Sequence, residues 1–224
     1  MFLNAEQIYN LLVEKRITES QEKINFSFLD VSVDIKEKSA IGDLFQEWFA
    51  KWLESNQIEY RTPSNTQEFP DFLLDPQSNY KNLLEIKTFD SNRSANFDIA
   101  NFEAYCYSIT TKAYRLDADY LVFAYTLIEG NFRIKDVWLK KIWEITGNSE
   151  RYPVKCQTKK DVIYNIRPIS WDSSRAKFKS FNSRLEFVKA LHQTLMQYPK
   201  TQTLYKNWLD KVAENYLFYT EQSL

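Results

Sequence analysis

Two carboxylates and a lysine stand close together in "FPDFLLDPQSNYKNLLEIKTF", residues 69–89. Asp71 follows Pro70 at the mouth of one short apolar run, and Glu85-Ile86-Lys87 falls in the next. In an extended strand successive side chains point to opposite faces, so Glu85 and Lys87 share one face and Ile86 turns to the core. The intervening "DPQSN" supplies turn chemistry, and a hairpin of the two runs in the right register brings Asp71 beside Glu85. Neighbouring carboxylates repel, and an apolar sheet makes ionising both costlier still; a hard divalent cation removes that penalty. Mg2+ suits the arrangement, because it accepts one or two carboxylates, keeps waters and takes phosphate oxygens. The ammonium of Lys87 then stands where it can orient an attacking water and offset charge at phosphorus. Together these parts describe phosphodiester hydrolysis. The competing reading makes Glu85 and Lys87 the solvated face of a half-exposed strand and Asp71 a residue that merely starts its neighbour.

The elements around this trio are legible from periodicity. In "SAIGDLFQEWFAKWLE" the apolar residues Ile41, Leu44, Phe45, Trp48, Phe49, Trp52 and Leu53 recur at three and four, which predicts an amphipathic helix with Ser39 as its N-cap. Short runs bounded by turn residues follow at 58–61, 71–75 and 82–89, and read as strands. Residues 97–116 read as a helix, then "YLVFAYTLI" and "NFRIKDVWL" as a second hairpin turning through Glu129-Gly130-Asn131. A further strand, "DVIYNIRPI", and two helices, from 183 to 198 and from 203 to 219, complete the chain. The order gives an α/β (α+β) fold with a mixed central β-sheet flanked by helices, in a single domain spanning 1–224.

Pro70-Asp71, a spacer, then Glu85-Ile86-Lys87 resembles the PD-(D/E)XK motif of the nuclease superfamily that includes most type II restriction endonucleases. The preceding helix with Gly42 and Glu47, and the following "FDIANFEAYCYS" helix, are placed as in that superfamily, so the likeness covers a catalytic core of about residues 39–126. It implies that Asp71 and Glu85 ligate the metal, that the Ile86 carbonyl is a further ligand, and that Lys87 partners the attacking water. Glu47 becomes the candidate for the helix-borne acid of some members, although it lies off the apolar stripe of its helix.

Composition narrows the alternatives. The chain has one histidine, His192, among Leu191, Leu195 and Met196, so histidine-based metal or nuclease sites are excluded and a packing role is the simple reading. Three glycines leave no glycine-rich phosphate loop. Cys106 and Cys156 are too few and too far apart for a zinc framework and suggest a reduced, cytoplasmic protein. The N-terminus lacks the pattern of a signal peptide, and no stretch approaches the ~20 apolar residues of a membrane span.

The net charge of −1 conceals an asymmetry: residues 151–206 carry twelve Lys and Arg against three Asp and Glu, leaving seventeen against twenty-seven elsewhere. A basic segment on an acidic body suits a polyanion. Lys155, Lys159, Lys160, Arg167, Arg175, Lys177 and Lys179 could grip phosphates, with Gln157 and Asn165 available for base edges. Arg175, Lys177 and Lys179 recur at period two, as along one edge of an extended segment. Asn92 and Arg93, just after the lysine-bearing strand, offer a second groove contact.

The resemblance thus implies a Mg2+-dependent type II restriction endonuclease that cuts double-stranded DNA to leave 5′-phosphates. A small chain with one site must cut two strands, so a homodimer is expected, and a companion methyltransferase to protect the host. The rivals are a structure-specific repair or recombination nuclease of the same fold, and a DNA-binding module without catalysis.

Overall fold

The strand that organises the sheet is the most apolar in the chain. "YLVFAY" at 120–125 is buried at every position, the signature of a strand covered on both faces. A computed structural model describes residues 1–65, 68–202 and 205–224. They group into two compact units, Met1–Ala95 with Asp119–Lys140, and Asn96–Ala118 with Lys141–Leu224.

The first unit is built on a five-stranded mixed sheet. Its strands are β1 (Gln21–Lys23), β4 (Phe72–Leu73), β5 (Leu83–Asp90), β7 (Asp119–Ile128) and β8 (Asn131–Lys141), in the order β1-β8-β7-β5-β4. β5 and β7 run parallel, with Leu84 opposite Asp119 and Asp90 opposite Tyr125. β7 turns into β8 through Glu129 and Gly130, whose φ values of 51° and 82° are the left-handed pair that a tight hairpin demands. A separate hairpin, β2 (Asn25–Phe28) and β3 (Val31–Asp34), lies outside the sheet.

Two helices belong to this unit. α1 (Ala5–Glu14) starts at a capping box in which Asn4 and Gln7 exchange side-chain-to-backbone hydrogen bonds. α2 (Ile41–Ser55) buries Ile41, Phe45, Phe49 and Leu53, one stripe at i+4 spacing. Phe49, fully buried, meets the ring of Phe72 edge-on at 5.4 Å and that of Phe123 at 6.4 Å, so the helix locks β4 to β7. Phe49→Ala is expected to cost about 3–5 kcal/mol, read as a lower urea midpoint, because the cavity would open between three elements.

The second unit holds a three-stranded sheet, β6 (Ala100–Asn101), β9 (Cys156–Lys159) and β10 (Val162–Ile166), in the order β6-β10-β9. Its helices are α3 (Phe102–Ser108), α4 (Ile142–Ile145), α5 (Arg184–Gln197) and α6 (Trp208–Thr220). Trp208 donates its indole N–H to the Cys106 carbonyl at 2.7 Å, and Arg184 packs its guanidinium on Tyr216 while pairing with Asp117.

The mixed sheet with flanking helices agrees with the α+β reading, and both expected hairpins form. Several expected elements differ. Residues 58–61 make no strand: Arg61 alone bridges Leu73, and its guanidinium instead spans the carbonyls of Asp75 and Ser78. The helix expected over 97–116 shrinks to α3, because Asn101 caps it at Ala104 and the stretch after Ser108 turns into a separate 3-10 segment at Ala113–Asp117. Ser39 does not cap α2; it sits inside a 3-10 turn, where its N–H bonds the Glu37 carboxylate. α6 begins at Trp208, and the part of the expected helix at 203–204 lies outside the described residues.

Candidate active site

The β4–β5 register decides the site. Phe72 faces Leu84 and Leu73 faces Leu83, so the same antiparallel count sets Asp71 across from Glu85. The local sequence explains why the pairing is short: the polar "DPQSN" closes on itself, with the Asp75 carboxylate accepting from the backbone N–H groups of Gln77 and Ser78.

The two carboxylates are tied into the backbone around them. Asp71 accepts from the Ile86 N–H at 2.7 Å through one oxygen and from the Gln46 amide of α2 at 2.9 Å through the other. Glu85 accepts the Asp71 N–H at 3.2 Å and the Lys87 ammonium at 2.7 Å. Ile86 points away into the core, at 7% exposure. Glu85 is also 7% exposed, and among the described residues it is the single buried charged side chain. Glutamate is almost never buried without a compensating partner, and here the Lys87 ammonium and the Asp71 N–H supply it.

Burial pushes the Asp71 carboxyl up to about 7, and the adjacent Glu85 adds to the rise, against the Ile86 N–H, Lys87 and Gln46. The site therefore holds more negative charge than it can comfortably ionise. That is the setting in which two hard oxygen donors accept a divalent cation, and the set fits Mg2+, whose remaining positions go to waters or phosphate. Asp71 and Glu85 would hold it. No cluster of three or more acidic, histidine or cysteine side chains exists among the described residues.

Glu47 is exposed and away from the pair. Its neighbour Gln46 occupies the position facing Asp71, and the helical wheel explains this. At about 100° per residue, Gln46 borders the buried stripe beside Leu53, whereas Glu47 lies on the opposite side. That reasoning was open to the sequence, but only the β4–β5 register reveals what Gln46 meets.

The basic candidates separate into two groups. Lys159, Lys160, Arg175, Lys177, Lys179 and Gln157 are exposed. Residues 175–179 form no strand, yet Arg175, Lys177 and Lys179 do alternate outward with half-buried Ala176 and Phe178. Lys177 pairs with Glu150. Asn165 is half-buried and donates its amide to Gln157 across β9 and β10. By contrast Lys155 donates its ammonium to the Pro168 carbonyl at 2.8 Å, and Arg167 pairs with Asp98 at 2.8 Å and bonds the Asn96 carbonyl, so both are committed to loops of the second unit. Asn92 and Arg93 are exposed in a turn closed on Asp90.

His192 stacks flat on Trp208 with ring centroids 6.0 Å apart. Both cysteines are free thiols, and burial drives Cys156 up to about 12 and Cys106 well above its ordinary value, so neither is a thiolate near neutrality.

A mixed sheet presenting Asp, Glu and Lys from an antiparallel pair, braced by a helix, defines a restriction-endonuclease-like protein. The chain belongs to the NgoBV restriction endonuclease family, whose model matches residues 2–224. It is 39% identical over 225 residues to the type II restriction enzyme NlaIV of Neisseria lactamica, covering 99% of this chain and 93% of the relative. It is 36% identical over 163 residues to the type II restriction enzyme NgoBV of Neisseria gonorrhoeae, covering 70% of this chain and 91% of that one. Among solved structures the NlaIV restriction endonuclease superposes with a TM-score of 0.94 at 38% identity, covering 100% of this chain and 92% of the other. No helix among the described residues is long and apolar enough to cross a membrane.

Proposed function

We propose that this chain is a type II restriction endonuclease that hydrolyses double-stranded DNA at a specific sequence with the help of Mg2+, in the cytoplasm. One observation carries the reading: Glu85, the buried charged residue of a central strand, faces Asp71 and holds Lys87 at 2.7 Å. Family membership supports reading these residues as arranged for DNA cleavage.

Asp71 and Glu85, with the Ile86 carbonyl, would hold the cation, which supplies Lewis acidity and neutralises charge at the scissile phosphate. Gln46 and the Ile86 N–H fix the Asp71 carboxylate from two sides, so its orientation is set before substrate arrives. Glu85 anchors the Lys87 ammonium, which directs a water at phosphorus and offsets the charge that grows on the non-bridging oxygens. Bond cleavage on the 3′-oxygen side leaves a 5′-phosphate and a 3′-hydroxyl. The exposed Lys159, Lys160, Arg175, Lys177 and Lys179, with Asn92, Arg93 and Gln157, are the groups we assign to phosphate and base contacts. Two such chains, one per strand, would act on a two-fold symmetric site, in a host that also makes a protecting methyltransferase.

The test is digestion of a long plasmid by purified protein in Mg2+, Ca2+ or EDTA, followed by sequencing of the fragment ends. Discrete fragments with one shared end sequence, in Mg2+ alone, are expected. Smearing without a shared sequence, or DNA retained but never cut, would overturn the reading.

A further inference from the structure

The hairpin outside the main sheet leaves in solvent a row of apolar side chains that a monomer would ordinarily bury. In β2 and β3 Phe26 lies opposite Val33 and Phe28 opposite Val31, which puts all four side chains on one face. The other face carries Asn25, Ser27, Ser32 and Asp34, with the Ser27 hydroxyl bonded to that of Ser32 at 3.1 Å. Both faces of the hairpin are open to solvent, so the apolar one leaves Phe26 59% exposed, Phe28 67%, Val31 64% and Val33 53%.

The tip points the same way. Leu29 is 87% exposed and holds a left-handed φ of 52°, a conformation that favours glycine, asparagine or aspartate. A leucine there is unfavourable twice over unless something covers it. The hairpin's base, Lys23, Ile24 and Asn25, also walls an apolar groove of about 460 Å3 whose floor is Ile41, Phe45 and Phe132 and whose rim is Leu44 and Trp48, both more than two-fifths exposed.

We infer that this hairpin and the groove at its base form the face on which a second copy of the chain docks, through an isologous two-fold contact. The five hairpin side chains alone leave on the order of 500 Å2 of apolar surface in water, a patch near the ~600 Å2 upper end for monomers. That is more than half of the ~800 Å2 each partner gives to a standard interface, and the groove at the hairpin's base adds the exposed Leu44 and Trp48. The hairpin face itself, Phe26, Phe28, Val31 and Val33, is uncharged, with Asp30 at the tip and Glu22 and Lys23 at the groove as its charged neighbours, which fits an apolar partner surface of its own kind and not DNA. The choice of a second copy rests on the restriction-enzyme reading, in which one site per chain must serve two strands. Each hairpin tip would bury Leu29 and Phe28 against its partner.

Sedimentation of the wild-type chain beside Phe26→Thr/Phe28→Thr and, separately, Leu29→Asn tests this. Threonine keeps strand propensity, and asparagine tolerates the left-handed tip, so both variants should fold, with unchanged far-UV circular dichroism. The wild type is expected to be a dimer at micromolar concentration, the double variant a monomer with its dissociation constant raised about a hundredfold or more, and Leu29→Asn intermediate. On supercoiled plasmid the double variant should accumulate nicked circles where the wild type gives linear DNA. A wild type that stays monomeric with and without DNA, or a double variant that sediments as the wild type does, overturns the inference. If dimerisation is lost on substitution but no protein cuts DNA, the interface stands and the enzymatic reading falls.

Discussion

Asp71→Asn should abolish cleavage, by about a thousandfold or more, and at the same time make the metal-free protein more stable at pH 8. The two effects have one cause. Asp71 is a carboxylate raised from 3.8 to about 7 in the folded state, by burial first and then by Glu85. Below pH 3.8 folded and unfolded chains are both protonated there, so nothing is lost. Between 3.8 and 7 the folded chain keeps a proton that the unfolded chain has released, and stability falls as pH rises. Above 7 the full penalty is present, roughly 2–4 kcal/mol, or about 5–10 °C in melting temperature for a chain of this size. Asparagine keeps the shape and the bond from the Ile86 N–H, and the Gln46 amide can turn its oxygen towards the new donor. Thermal melts in EDTA should therefore show the variant well above the wild type at pH 8 and close to it at pH 4.5. Added Mg2+ should raise the wild type and leave the variant nearly unmoved, since only binding to the folded state stabilises. A variant that melts lower than the wild type at pH 8, or one that cuts plasmid normally, would show that Asp71 is a structural residue.

Lys87→Ala should cut the rate of hydrolysis by about a hundred- to ten-thousandfold while DNA binding, measured in Ca2+, stays within a few-fold. The ammonium is 2.7 Å from Glu85 and stands two residues along the same strand, so its loss removes a charge beside the reacting phosphate without disturbing the exposed basic residues of the second unit. The loss should appear in kcat and not in KM. Lys87→Arg is expected to fail nearly as badly, because a planar guanidinium neither fits a site shaped for a compact ammonium nor gives up a proton. Undiminished cleavage by Lys87→Ala would remove the lysine from the reaction; equal loss of binding and cleavage would make it a phosphate anchor.

How much of this was open to the sequence can be followed residue by residue. The Glu85-Ile86-Lys87 alternation needs only the two-residue period of a strand, and Ile86 is indeed in the core with Glu85 and Lys87 joined on the other side. The α2 stripe and both expected hairpins follow from periodicity and turn chemistry in the same local way, and with them the α+β class. What lay beyond reach was long-range or weakly patterned. The hairpin at 25–34 has its apolar residues facing water, so the usual equation of apolar with buried fails there. Lys155 and Arg167 read as phosphate grips until their loop carbonyls and Asp98 come into view, since charge alone does not distinguish a solvated cation from a committed one. Gln46 could not be matched to Asp71 across 25 residues of chain without the packing of α2 on the sheet. The residue types and their spacing along one strand determined which side chains share a face; the pairing of β4 with β5 and the packing of α2 decided which groups meet there, because such contacts depend on chain closure between segments that share no local pattern.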